Sequence, residues 1–313
     1  IERRKGRAPG RLRLNAAAVG VLLRVLAALT GILPWRALRA VGAAIGWTTG
    51  TLLGIRRSHV VQAMQTARVD GAAEVAREMY RSLGVAAVEF LWLAARGEAA
   101  TGHVRLAGES AASWSRAASR GRGVVIAASH TGNWDLAASA MAARGPLLVV
   151  TKHLSARGVD RFWQETRSRQ GVMLGSGEGV IKAARDVLRR GGAVAMMIDQ
   201  VPAFERSALR TEFLGQVALV DRGPAALAAR ERSPLVVAAS RREPGGEHVL
   251  CVLDVIEPPR RPGREWIDAA TVQATRALDR FVRAHPSQWL WMHRRWRAPR
   301  VAPAARASML RAS

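Results

Sequence analysis

Apolar positions follow one another along the chain in three rhythms. From Leu14 to Trp35 they run almost unbroken, with Arg24 the single charge, and a second uncharged run, Ala40 to Ile55, lies between Arg39 and the Arg56-Arg57 pair. Over residues 72–95 apolar residues recur at helical spacing, which predicts one or two helices. The rhythm then changes. GVVIAAS (123–129), PLLVV (146–150), GAVAMMI (192–198), PLVVAAS (234–240) and HVLCVLDVI (248–256) are short apolar runs bounded by Gly, Pro or charge, and read as buried strands. Amphipathic, arginine-bearing segments at 133–144, 158–170, 178–190 and 222–232 alternate with them, and 264–285 supplies a terminal amphipathic helix. This alternation predicts an α/β fold with a mostly parallel central sheet flanked by helices, preceded by apolar N-terminal helices. The chain divides into a basic arm with hydrophobic helices (1–60), an α/β domain (61–298) and a loose Ala/Arg/Ser tail (299–313).

A transmembrane helix needs about 20 predominantly apolar residues, and neither N-terminal run is a clean span. A basic stretch before an apolar one is also the pattern of a signal peptide, but Arg24 splits the would-be hydrophobic segment. The runs are read as two hydrophobic helices that dock on or dip into the inner face of a membrane, with Trp35, Trp47 and the flanking arginines at head-group level. A pair of buried core helices remains the competing reading.

Charge narrows the partners. Lys and Arg number 48 against 24 Asp and Glu, a formal net charge of +24. An excess carried mostly by arginine favours anionic partners: nucleic acid, phospholipid head groups or an acidic carrier protein. Nucleic acid fits poorly, because the arginines are spread along the chain, aromatics are 5% of residues, and no zinc, helix-turn-helix or RNA-binding signature occurs. The lone cysteine, Cys251, excludes an intramolecular disulfide and reads as core. The histidines at 59, 103, 130, 153, 248, 285 and 293 never take the spacing that pairs ligands on one helix face, so no metal site is expected. GSGEGVIK (175–182) lacks the order of a phosphate loop and reads as a turn capping a helix.

The candidate chemistry lies in VVIAASHTGNWDLAASA (124–140). His130 stands just past the carboxyl end of a predicted strand, where open α/β sheets bind ligands. Asn133 suits an N-cap and Asp135 falls in the first helical turn. A carboxylate on one imidazole nitrogen would fix the tautomer and stabilise the imidazolium, while the other nitrogen takes a proton from a hydroxyl. With no GxSxG elbow around Ser129, the attacking oxygen would be the substrate's own. Spacing alone leaves both this catalytic pair and a merely capped turn open.

SHTGNWDLA resembles the HxxxxD/E block of glycerolipid-type acyltransferases, in particular the bacterial lipid A biosynthesis (lauroyl/myristoyl) branch. ETRSRQGVMLGSGEGVIKAARDVLRRGGAVAMMIDQ, EFLGQVALVDRGPAALAARERSPLVVAA and QWLWMHRRWR are similar to later blocks of that family, in the same order, so the resemblance covers about residues 14–297. It implies a glycerolipid acyltransferase-like fold and transfer of a fatty acyl group, without cofactor, from acyl carrier protein to an anionic lipid acceptor at the cytoplasmic face of the inner membrane. A lipid A precursor is the expected acceptor; a lysophospholipid, a mannosylated phosphoinositide or another glycolipid would make similar demands. The resemblance makes His130 the general base with Asp135 its partner, and Asn133, Arg167, Arg169, Asp199, His293, Arg294 and Arg295 substrate-binding or positioning residues. Asp135 stands where many lipid A enzymes have Glu. Trp289, Trp291 and the adjoining arginines are expected at a membrane interface and head group.

Overall fold

The apolar runs form the strands they predict: β2 (Val124–Ala128), β3 (Leu147–Val150), β5 (Ala193–Met197), β8 (Leu235–Arg242) and β9 (His248–Ile256). A computed structural model describes residues 15–296 apart from 107 and 203; the basic arm over 1–14 and the tail over 299–313 lie outside the described residues. Two strands the patterning does not predict, β1 (Val104–Leu106) and β4 (Val172–Gly175), complete a seven-stranded sheet of order β1-β9-β8-β2-β5-β3-β4. Its pairs are parallel except β8 with β9. That reversal follows from the Glu-Pro-Gly-Gly-Glu link after β8, because so short a connection can join only antiparallel neighbours. A separate hairpin pairs β6 (Ala208–Phe213) with β7 (Gln216–Asp221) through Leu214 and Gly215, both at positive φ as a two-residue hairpin turn demands.

Helices cover both faces of the sheet. On one lie α9 (Val180–Arg189), α10 (Gly223–Glu231) and α11 (Arg264–Ala284), packed on Val125, Ala127, Val194 and Val237. The alternate residues Ile126, Val149, Ala195 and Val236 face α6 (Glu109–Ala118) and α7 (Trp134–Ala142), as the period-2 pleat requires. Between the short helices α3 (Arg57–Thr66) and α5 (Glu98–Thr101), one helix, α4 (Ala72–Arg96), carries the whole 72–95 pattern, and α8 (Arg157–Arg169) packs beside it through Phe90, Phe162 and Trp163.

The N-terminal runs form α1 (Ala16–Gly31) and α2 (Trp35–Trp47), the latter followed by a π-helical turn over Thr48–Leu52. The expectation of apolar N-terminal helices is corrected here. Each is two-faced: Gly20, Ala27 and Gly31 of α1, and Leu38, Gly42 and Gly46 of α2, are buried, while Arg24, Arg36 and Arg39 interrupt the apolar surface. Both pack on α4, α2 so closely that a methyl group at Gly46 or Gly84 would overlap backbone of the facing helix. Among the described residues no helix is long and apolar enough to cross a membrane. The outward stripe of α1 nevertheless leaves Val21, Leu22, Val25 and Leu29 about half exposed.

Candidate active site

β2 delivers His130 to the carboxyl edge of the sheet, and four elements hold the turn that follows. Gly132 has φ +57°, and a Cβ there would meet the Ser240 carbonyl oxygen at 2.7 Å, so glycine alone fits. The Gly132 N–H donates to the Gln288 carbonyl at 2.9 Å, and Leu290 N–H donates to the His130 carbonyl at 3.1 Å. From β8, Ser240 Oγ donates to the Thr131 carbonyl at 2.6 Å. Asn133 caps α7, its Oδ1 accepting from Leu136 N–H at 3.1 Å, and its amide donates to Glu89 of α4 at 2.9 Å.

The expected His130–Asp135 pair does not form. His130 Nδ1 lies 2.9 Å from Asp199 Oδ1, and the His130 backbone N–H donates to Asp199 Oδ2 at 2.8 Å. The Trp289 indole N–H donates to the same Oδ2 at 2.9 Å. Asp199 is fully buried. Burial alone would raise its pKa, but the His130 charge, both His130 hydrogen bonds and the Trp289 indole outweigh it and hold the carboxyl well below the usual carboxylate range. An ionised carboxylate only accepts, so the imidazole proton sits on Nδ1 and Nε2 carries the lone pair. Nε2 meets the Gln200 amide nitrogen at 3.4 Å, and the same amide lies 3.2 Å from His293 Nε2. The result is a carboxylate-oriented imidazole with its accepting nitrogen on the cleft side.

Asp135 has another partner because the first turn of α7 aims it at α8. It accepts from Arg167 Nε at 2.7 Å and from the Trp163 indole at 3.3 Å. Arg167 Nη1 in turn donates to Thr151 Oγ1 at 3.3 Å, which fixes the guanidinium at the cleft wall. Arg167 and His293 thus reach the site as expected, whereas four other residues do not. Arg169 is exposed on another side of α8, two residues from Arg167, and Arg294 is exposed outside the cleft. Asn133 is buried and committed to its cap and to Glu89. Arg295 is 1% exposed, donates to the Leu219 carbonyl at 2.6 Å and lies over Phe213. Burial lowers its pKa to about 10 against the opposing pull of Asp199. It is a prop beneath the dyad, not a head-group ligand. Trp289 and Trp291, expected at a membrane interface, are each 1% exposed and pack edge to face in the core.

Two cavities meet beside His130. One is an open cleft of about 470 Å³ walled by His130, Lys152, Arg167, Gln200 and His293. The other, about 90 Å³, runs between the sheet and α7 and is almost wholly apolar. Trp134, Val149, Arg167 and Met197 belong to both walls, and the Trp134 ring stands edge-on to His130 with centroids 5.0 Å apart. The cleft thus adjoins the greasy channel beside His130, whose Nε2 meets Gln200 of the cleft wall. Among the described residues no group of three or more His, Cys, Asp and Glu is placed to hold a metal ion.

A family model of bacterial lipid A biosynthesis acyltransferases matches residues 5–298. The chain belongs to that family. No curated protein sequence matches it. The acyltransferase also carries a buried polar network that sequence reading missed. Glu89, fully buried on α4, pairs with Arg242 Nη2 at 2.8 Å and His248 Nε2 at 3.1 Å as well as with Asn133. Burial would raise the Glu89 pKa, but the Arg242 charge, His248 and their hydrogen bonds lower it to about 2. The one sequence signal was an unpaired Glu within an otherwise apolar helix face, GVAAVEFLWLA.

Proposed function

We propose that this acyltransferase moves a fatty acyl group from a thioester on acyl carrier protein to a hydroxyl of a lipid A precursor or related glycolipid. His130 Nε2 takes the proton of the acceptor hydroxyl as its oxygen attacks the thioester carbonyl. Asp199 holds the tautomer and stabilises the imidazolium that forms. Collapse of the tetrahedral intermediate breaks the carbon–sulfur bond, and the proton on Nε2 passes to the departing thiolate. Gln200, between His130 and His293, is a neutral donor beside the developing oxyanion. The acyl chain lies in the apolar channel, and Arg167 and Lys152 on the cleft wall suit an anionic head group. The observation that carries the reading is the meeting of channel and cleft at His130.

The enzyme works at the inner face of the cytoplasmic membrane. In support, Val21, Leu22, Val25, Leu29 and Ile32 form an exposed stripe on and just past α1, and Val41, Ile45 and Trp47 of α2 are exposed beside arginines. A mannosylated phosphoinositide or a lysophospholipid would satisfy the same cleft chemistry, so the acceptor is found by assay. Labelled acyl transfer from acyl carrier protein to a panel of lipid acceptors, run with native protein and His130→Ala, tests the proposal. Turnover on one acceptor that vanishes in the variant supports it; undiminished turnover in the variant removes His130 from the mechanism.

A further inference from the structure

The apolar channel is lined from all seven strands of the sheet, with Leu147 of β3 and Val172 of β4 on one side and Trp114 of α6, Leu106 of β1 and Val252 of β9 on the other. Its mouth, shared with the cleft, lies over β3 and β5 at Val149 and Met197. From there it crosses the sheet beneath α7, over Ala128 of β2 and Ala238 of β8, and reaches Val252 of β9 and Leu106 of β1. Because strand order is β1-β9-β8-β2-β5-β3, this path from β5 to the edge strand crosses four inter-strand gaps, about 19 Å at the usual strand spacing. That is comparable with the extended length of a long-chain acyl group.

At the far end α6 lies across β9, pinned where Ser110 Oγ accepts from Val252 N–H at 3.0 Å, and from it Trp114 projects into the channel wall. Trp114 is half-buried: one side packs with the sheet-and-α7 cluster, and the other reaches solvent. The walls approaching it are small, with Ala128, Ala138 and Ala238 along the route, so the channel admits a polymethylene chain until it meets the indole. A wide ring at the end of a narrow apolar bore sets a limit on length, because a further methylene must displace the ring or remain in water.

We propose that Trp114 closes the acyl channel and sets the longest acyl chain that the enzyme transfers efficiently. This rests on the acyl-transfer reading above, with the channel as the acyl site. One extra methylene in an apolar pocket discriminates by roughly 10-fold or more. Trp114→Ala should therefore move the optimum to longer donors and raise the ratio of long-chain to native-length kcat/KM by at least about tenfold. Trp114→Leu should give a smaller shift the same way, and Val252→Phe, which adds bulk before the stop, should shift the optimum to shorter donors.

The experiment measures kcat/KM for a series of saturated acyl carrier protein thioesters of increasing length with the native enzyme and these three variants, each checked for a native-like melting transition. Graded shifts in opposite directions support the proposal. An unchanged length profile in folded Trp114→Leu and Val252→Phe overturns it while leaving the acyl-transfer reading intact. Failure of the native enzyme to transfer from any donor in the series, by contrast, overturns the reading of the reaction itself. Should Trp114→Ala fail to fold, the other two variants decide the matter.

Discussion

Replacing Asp199 by Asn is the sharpest test of the dyad. The carboxylate accepts three hydrogen bonds, at 2.8 Å from the His130 backbone and at 2.9 Å each from His130 Nδ1 and the Trp289 indole. Asn keeps the shape but offers one acceptor oxygen and an NH2 group. If the oxygen retains the backbone and indole donors, the NH2 faces Nδ1, and the imidazole must move its proton to Nε2 to avoid two opposed donors. The nitrogen that should accept the substrate proton then already holds one. Where a carboxylate that orients a catalytic histidine is changed to its amide, the wrong tautomer costs about 10⁴-fold in kcat, or roughly 5.4 kcal/mol in the barrier. Here Asp199→Asn is expected to lower kcat by about 10³–10⁴-fold with KM little changed. Single-turnover acyl transfer separates this from product release, and thermal melts check the fold. The comparison is Asp135→Asn, which loosens Arg167 and leaves the base intact. If Asp199→Asn stays within tenfold of the native kcat while Asp135→Asn loses three orders of magnitude, the catalytic carboxylate is Asp135 and the reasoning from the tautomer is refuted.

Arg167→Lys cannot keep both the Asp135 and Thr151 contacts, so kcat/KM for an anionic acceptor should fall about tenfold or more, mainly through KM, as a head-group titration would read. Glu89→Gln leaves Arg242 buried without its counter-charge and should cost about 3–5 kcal/mol in urea unfolding at neutral pH. Glu89 ionises at about 2 rather than 4.5, a depressed value, so its contribution of about 3 kcal/mol is present above pH 4.5 and is lost as pH falls from there toward 2. Stability measured across that window should fall less in Glu89→Gln than in the native protein. Val25→Glu with Leu29→Glu should abolish sedimentation with anionic vesicles while leaving the melting temperature nearly unchanged, since both side chains are about half exposed; retained binding would move the membrane contact elsewhere.

What the sequence made legible follows from where each signal resides. Strands β2, β3, β5 and β9 are continuous apolar runs because both faces are covered, and a run of that kind needs no partner to be recognised. By contrast β4 reads Val-Met-Leu-Gly with Met173 exposed, and β1 is three residues long, so neither rises above its surroundings. The reversal at β9 is legible in the Pro244-Gly245-Gly246 turn, which is too short for a crossover. His130 was identifiable at a strand end; its carboxylate was not, because Asp135 is near in sequence and Asp199 is 69 residues away. Arg295 and the tryptophans misled for one shared reason. Composition assigns arginines and indoles to surfaces, whereas here Arg295 Nη1 and the indole N–H groups of Trp291 and Trp289 donate inside the fold, to the Leu219, Pro286 and Asp199 oxygens.

The choice of Asp199 over Asp135 is dictated by the sheet. β2 and β5 are parallel neighbours in register, with Ala128 opposite Met197. His130 lies two residues beyond the first and Asp199 two beyond the second, so the strands carry base and carboxylate past the sheet edge at the same level. Their separation is set by strand spacing, which every ladder hydrogen bond between β2 and β5 helps to enforce. A helix cannot supply the same geometry from position 135, because the turn through Gly132 to the Asn133 cap rotates the first turn of α7 toward α8. β9 cannot supply it either, since it runs the other way and brings its amino end to this edge. The tether that β9 would have given is replaced by the segment after α11, where Gln288, Trp289 and Leu290 bind Gly132, Asp199 and His130 in turn. A one-residue insertion in either β2 or β5 would shift the register and turn one member of the dyad to the opposite face. Under the proposed mechanism, catalytic competence therefore depends on the length of two buried strands as strictly as on the two side chains at their ends.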